Sequence, residues 1–349
     1  LDGFEVMQHQ HGDDYGLIRS ADLRAFLAYL AAPECAAFTL ITSRAPLLDL
    51  LPYTTAAQRD VTRLGPADGR ALLRALGVRG RGADLDRVVR AWDGHALTLS
   101  LLGGLLAERY DGDLRRLDNL PAPTADEDRY ERVHRVLHRY DDHLTEAERA
   151  FLAVFSAFRT PVRREALDAI YPGPSAPAPA PPLDDLLPRL GAYPILRVHA
   201  RAGTYTTHPL IRNHYFARFT AGARGTVAET HARIKDVYLE LAGDTPRYPS
   251  LDDLRPLIEV VHHACRAGAY DEAYQIYKDR IRQGNRFVIV HVLGAYETDL
   301  ATVSEFFPRT GGAPDLTADP QVSDPGARRW ILNEVGLCLM SLGRLREAV

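Results

Sequence analysis

Between Phe38 and Thr42 the chain reads Phe-Thr-Leu-Ile-Thr, and then breaks abruptly into Ser43 and Arg44. A short apolar, β-branched run ending in polar residues reads as a buried strand of a parallel sheet with a polar tip. Parallel strands need a crossover and covering helices. The stretch from Ala21 to Ala32 supplies one, with Leu23, Phe26, Leu27 and Leu30 at helical spacing. Ahead of it stands Leu-Asp-Gly-Phe-Glu, residues 1 to 5, read as the end of an earlier strand. Strand, helix, strand is a piece of an α/β sheet, and ligands of such sheets sit at the carboxyl ends of the strands. Asp2 and Glu5 follow the first strand, and Thr42, Ser43 and Arg44 the second. The bland alternative is an ordinary turn at Asp2 and Glu5 and a solvated loop at Arg44.

The next segment is helical. A helix is expected from Pro66, with Leu72, Leu73 and Leu76 on one face and Gly77 ending it. Two more are expected on either side of a break at Asp93-Gly94. The first carries Leu85, Val88, Val89 and Trp92; the second, with Leu97, Leu101, Leu102, Leu105 and Leu106, is apolar almost all round and should be buried. Thr145 with Glu148 forms a capping-box signal before another apolar run. A Pro/Ala-rich loop at 172–182 follows, then a helix from Leu183 to Leu190 and two short alternating strands around a turn at Ala202-Gly203. Helices followed by a hairpin suggest a winged helix. The would-be recognition helix carries Asp184 and Asp185 against a single Arg189, a poor match to phosphates.

From about residue 225 the pattern is wholly helical and repeats itself. Gly268, Tyr270, Ala273 and Tyr277 have the offsets of a tetratricopeptide repeat, and Gly336, Gly343, Leu345 and Ala348 echo them. Gly268 and Gly343 are spaced by about two repeats of ~34 residues. Such repeats stack to form a concave binding surface.

Charge and cysteine content narrow the class. The 42 basic and 46 acidic side chains are mixed along the chain, so no nucleic-acid footprint stands out. Cys35, Cys265 and Cys338 are too far apart for a close-spaced metal motif and suit a reducing compartment. With no signal peptide and no apolar run of ~18 residues, a cytoplasmic protein is expected. His9, His11, Asp13 and Asp14 are metal-ligating types, yet in a Gly/Asp loop they read first as a surface turn.

Taken in order, these motifs resemble the STAND ATPases (signal-transduction ATPases with numerous domains, the NACHT and NB-ARC group). Leu-Asp-Gly-Phe-Glu resembles their Walker B element and Leu-Ile-Thr-Ser-Arg their sensor 1 strand. Gly94-His95-Ala96 stands where the family has Gly-x-Pro against adenine, with the Pro missing. Thr207-His208-Pro209 stands where the family has Met-His-Asp, whose His contacts the ADP β-phosphate; the alternative for His208 is a cap on the helix starting at Pro209. The resemblance implies ATP or ADP with Mg²⁺ in the full-length protein, Asp2 as the Mg²⁺ ligand, and Asp2 and Glu5 in catalytic roles. It implies nucleotide contacts from Thr42, Ser43, Arg44, Gly94, His95 and His208. It also implies a protein or peptide ligand on the repeats, and self-oligomerisation, with neither membrane nor nucleic acid as a partner.

The expected fold is mostly α with a partial α/β start. Its parts are the carboxyl half of a P-loop core (1–64), a helical domain (65–120), a winged helix (121–222) and truncated repeats (223–349). The chain contains no Gly-x-x-x-x-Gly-Lys-Ser/Thr loop. It therefore reads as a fragment lacking the Walker A region, with Leu1 at an exposed, unpaired sheet edge and no ATP turnover of its own. The other class of function is a repeat-containing transcriptional regulator or scaffold with no nucleotide role.

Overall fold

The computed structural model describes residues 1–9, 15–59, 61, 63–119, 129–173, 176, 179–310, 312–345 and 347. The chain divides into two compact units, Leu1–Leu64 and Gly65–Val349.

In the first unit, helix α1 (Ala21–Leu30) starts at Ser20, whose side chain accepts from the Leu23 N–H. Leu27 faces a small core with Phe4 and Ile18, against which Leu23, Leu30, Ile41, Leu47 and Leu50 pack. The expected buried strand is corrected here. Residues 38–42 form no regular strand, Phe38 is 92% exposed and Leu40 68%. Ile41 alone of the run turns into the core, because within this unit nothing stacks on the other face. Leu1 is exposed, as expected, but is not wholly unpaired: its backbone bonds to Leu40 and Thr42 on one side.

The second unit is mostly helical. Helices α2 (Pro66–Ala75), α3 (Gly82–Ala91) and α4 (Ala96–Tyr110) lie where the apolar spacing places them. Gly77, at φ +89°, terminates the turn after α2, and Asp93 and Gly94, at φ +56° and +62°, separate α3 from α4. Helix α4 buries residues on every side, from Leu97 to Leu106. Its Leu101 carbonyl accepts from the buried Tyr140 hydroxyl of α5 (Arg129–His143) at 2.6 Å.

Helix α6 (Glu146–Phe155) carries the full capping box between Thr145 and Glu148. After it come β1 (Val162–Arg163), α7 (Arg164–Ile170), α8 (Leu183–Ala192), β2 (Arg197–His199) and β3 (Thr204–Thr206). The antiparallel order is β1-β3-β2, with Tyr205 registered against Val162 and Val198. The two-residue β1 gives no periodic signal and escapes a sequence reading. Part of the Pro/Ala-rich loop lies outside the described residues.

Helices α9 (Pro209–Thr220), α10 (Arg224–Ala242) and α11 (Leu251–Ala267) follow. Gly268, at φ +84°, caps α11 and lets α12 (Tyr270–Ile276) fold back; α12 continues as a π-helical turn, Tyr277–Ile281. A second π-helical turn (Val288–Val292) precedes α13 (Tyr296–Val303), and a small hairpin, β4 (Arg309–Thr310) with β5 (Ala313–Pro314), comes before α14 (Pro325–Ser341). Leu254, Leu257, Val261, Tyr277, Phe306 and Ile331 share the core of this helical array.

Candidate functional site

Leu1 and Ile41 run side by side in the parallel sense. The Leu1 amino group donates to Leu40 O at 2.8 Å, and the Thr42 N–H donates to Leu1 O at 2.9 Å. That pairing sets residue 2 beside Thr42, whose hydroxyl donates to Asp2 Oδ1 and accepts from the Gly3 N–H at 3.1 Å. Gly3, at φ +66°, then turns the chain into a single 3₁₀ turn, Phe4–Met7. Only a residue tolerant of the left-handed region fits there without cost. The turn brings Glu5 back against Arg44: its carboxylate accepts from the Arg44 N–H at 3.3 Å and pairs with Arg44 Nε at 3.3 Å. The Arg44 side chain is 81% exposed, so the pair adds little stability and serves to place the two charges.

Ser43 turns inward. Its hydroxyl donates to Oε1 of the fully buried Gln8, whose Nε2 donates to Gly16 O and Pro46 O at 2.7 Å each. Gln8 thus holds the loop that carries Ser43 and Arg44. The sequence reading misses it, because a single Gln in a polar, His-rich stretch carries no periodic signal.

Gly94, His95 and His208 lie in the second unit. The Gly94 N–H donates to Val89 O at 2.8 Å, closing α3, and His95 Nδ1 lies 2.7 Å from the Thr98 hydroxyl in the first turn of α4. His208 is the N-cap of α9: its Nδ1 accepts from the Leu210 N–H at 3.2 Å. That bond leaves the ring proton on Nε2 in the neutral tautomer, so Nε2 is a donor. The five strand-tip residues are thereby brought together in the first unit. In the second, Gly94 and His95 sit between α3 and α4, and His208 at the start of α9.

A second polar assembly escapes the sequence reading. Arg159, in the loop after α6, binds Glu259 of α11 through two bonds of 3.0 and 3.1 Å, and lies 3.5 Å from Glu305. Glu305 also meets His262 at 2.8 Å and Arg266 at 3.1 Å. Burial by itself would raise the Glu305 carboxyl, but the hydrogen bond and charge of His262, with Arg266 and Arg159, outweigh it and hold it at about 2. Burial first, then the charges of His262 and Arg266, push His231 down to about 3, so its bond to His263 joins neutral rings. The network fastens the loop between α6 and β1 to α11 and to Glu305. Its pair His262-His263 is visible in the sequence, but Glu305 lies 43 residues from His262, and Arg159 lies 100 residues from Glu259.

Among the described residues, two groups of side chains are spaced so that they could hold a metal ion: His138, Asp141 and His214, and the buried Asp299, Glu334 and Cys338. Of the histidine loop near the amino terminus, residues 10–14 lie outside the described residues. No helix among the described residues is long and apolar enough to cross a membrane.

No family model matches the chain, and no curated protein matches it. Among solved structures it is similar in fold to a signal transduction ATPase with numerous domains (STAND) protein with a tetratricopeptide repeat sensor, from Pyrococcus horikoshii. The TM-score is 0.51 at 14% identity, over 88% of this chain. The chain spans 38% of the length of that protein. The likeness is one of fold, a mostly helical architecture with few strands.

Proposed function

We propose that the chain is part of a STAND-type signalling ATPase, an ADP/ATP-dependent switch whose helical repeats respond to a protein or peptide trigger. The observation that carries this reading is the pairing of Leu1 with Ile41, which sets Asp2 and Glu5 against Thr42 and Arg44 at one edge. Further support comes from the order of elements after it and from the STAND-like fold.

Asp2, Glu5 and Thr42 offer hard oxygen donors, a set that fits Mg²⁺ better than a softer metal. Bound there, the ion would neutralise charge on the phosphates during transfer. Asp2 would hold it, with the Thr42 hydroxyl fixing the carboxylate. Glu5 would orient the attacking water. Arg44 would exchange its carboxylate partner for a terminal phosphate oxygen, which its exposure makes inexpensive. His208 would donate from Nε2 to a phosphate oxygen at the amino end of α9, where the helix dipole favours anions. In this reading β1, α7, α8 and the β2–β3 hairpin form a winged helix. Asp184 is ion-paired to Arg164 at 2.7 Å, so α8 does not present a basic face to nucleic acid.

These 349 residues include no phosphate-cradling loop and are expected not to turn over ATP alone. The test is Mg²⁺-dependent binding of a fluorescent ADP analogue to the gene product that contains this chain. Asp2→Asn and His208→Asn, the latter keeping a good helix cap, should each weaken binding about tenfold or more, as for a lost hydrogen bond to a charged group. Unchanged affinity in both variants would refute the reading.

A further inference from the structure

On α5, His134, His138 and Asp141 stand at i, i+4 and i+7 and share one face. His214 of α9 meets that face. Its Nε2 lies 3.0 Å from Asp141 Oδ2, its Nδ1 3.2 Å from His134 Nδ1, and its ring centroid 5.2 Å from that of His138. One ligand atom from each of His138, Asp141 and His214 falls within 4.8 Å of the others. A paired His and Asp would explain the Asp141–His214 contact alone. It does not explain two further imidazoles gathered around the pair; Asp141 Oδ1 is also buried without a close hydrogen bond, beside the equally buried Tyr215 hydroxyl. A buried carboxylate oxygen left unsatisfied is costly unless something else completes it.

We propose that His138, Asp141 and His214 form a binding site for a divalent transition metal of the zinc class, bridging α5 and α9. Two imidazoles and one carboxylate favour zinc over magnesium or calcium, which prefer all-oxygen sites. Three protein ligands leave a fourth position for water, unlike the closed four-ligand set of a purely structural zinc. His138 is exposed, Asp141 half-buried and His214 buried, so the site opens to solvent on one side and is rigid on the other. His134 acts as a positioning residue. Without an ion, His214 Nε2–H donates to Asp141 Oδ2; with an ion bound, that proton would leave and His214 Nδ1–H would donate to His134 Nδ1, which frees the Nε2 lone pair for the metal. Arg218, 2.8 Å from Asp141 Oδ2 and 45% exposed, is the competing cation; a carboxylate binding metal through one oxygen keeps the other for the guanidinium. Because α9 begins at His208, an ion here would stiffen the seating of the helix that carries that residue. The site itself does not depend on the nucleotide reading.

The test uses the whole chain, stripped with a chelator and titrated with Zn²⁺ and with Co²⁺ as a spectroscopic substitute. The expected result is a single ion per chain, Co²⁺ d–d bands of a four-coordinate nitrogen/oxygen site, and a higher Tm with Zn²⁺. His138→Ala removes an exposed side chain, and Asp141→Asn keeps its shape. Each should weaken Zn²⁺ at least about tenfold, and His134→Ala about tenfold, the range for a residue that orients a ligand. Three results would overturn the proposal. They are binding that persists in His138→Ala, binding lost instead in His9→Ala, and a thiolate charge-transfer band, which would place the ion at a cysteine instead.

Discussion

Gly104 sits in the middle of α4 where a helix former would ordinarily be favoured. A Cβ built on it would lie 2.2 Å from Pro194 Cδ and 2.9 Å from Pro194 Cγ, and a proline ring cannot swing aside. Gly336, in α14, has nothing within 4 Å of the same position. Alanine is the better helix former by ~1 kcal/mol, so the surroundings decide the sign. Gly336→Ala should raise stability by up to ~1 kcal/mol, and Gly104→Ala should lower it by ~1–3 kcal/mol through overpacking. Urea unfolding of both variants checks this; a stabilising Gly104→Ala would contradict the close packing of α4 on Pro194. At this scale the sequence marks glycines but not their neighbours. The same holds for His208, where a cap and a phosphate contact were both open from sequence and the structure shows the cap.

Where α13 meets α14, Asp299 accepts from the Tyr277 hydroxyl at 2.7 Å and from the Cys338 thiol at 3.4 Å, beside the buried Glu334. Burial first, and then the charge of Asp299 and a hydrogen bond to it, raise Glu334 to about 7. The folded state therefore prefers Glu334 protonated. Its contribution is fully present below the unfolded value of 4.5 and is lost as pH rises through about 7. Relative to Glu334→Gln, the natural chain should lose stability between pH 4.5 and 7 at about 1.4 kcal/mol per pH unit. Thermal melts of both chains across that interval measure it, and parallel curves would show that Glu334 titrates normally. The repeat-like pattern beyond residue 225 marks this segment as helical but not this acid pair, because residue 299 faces residue 334 only once the helices pack. The opposite error occurred at Phe38 to Thr42: an apolar run reads as buried, yet burial needs a covering face that sequence spacing does not supply.

Each of the two units has its own core, and the cores differ greatly in extent. The first buries Phe4, Ile18 and Leu27 with a few half-buried neighbours, whereas that of the helical array alone runs from Leu254 to Leu339. Stability scales with buried apolar surface, so the units should unfold separately, the smaller at lower urea. Both tryptophans, Trp92 and Trp330, belong to the second unit. Far-UV circular dichroism should then show an early, small loss, from α1, that tryptophan fluorescence lacks. Coincident transitions by the two probes would show that the units unfold as one. By itself the sequence determined helices α1 to α4 and α8, the breaks at Gly77 and Asp93-Gly94, the Thr145 capping box and the β2–β3 hairpin. Those are local properties, set by side-chain period and by residues that stop a helix. Only the tertiary structure decided that Leu1 pairs with Ile41, that Gln8 holds Ser43, and that Arg159 reaches Glu259. It alone gathered His138, Asp141 and His214, since each of these contacts joins residues with no periodic relation along the chain.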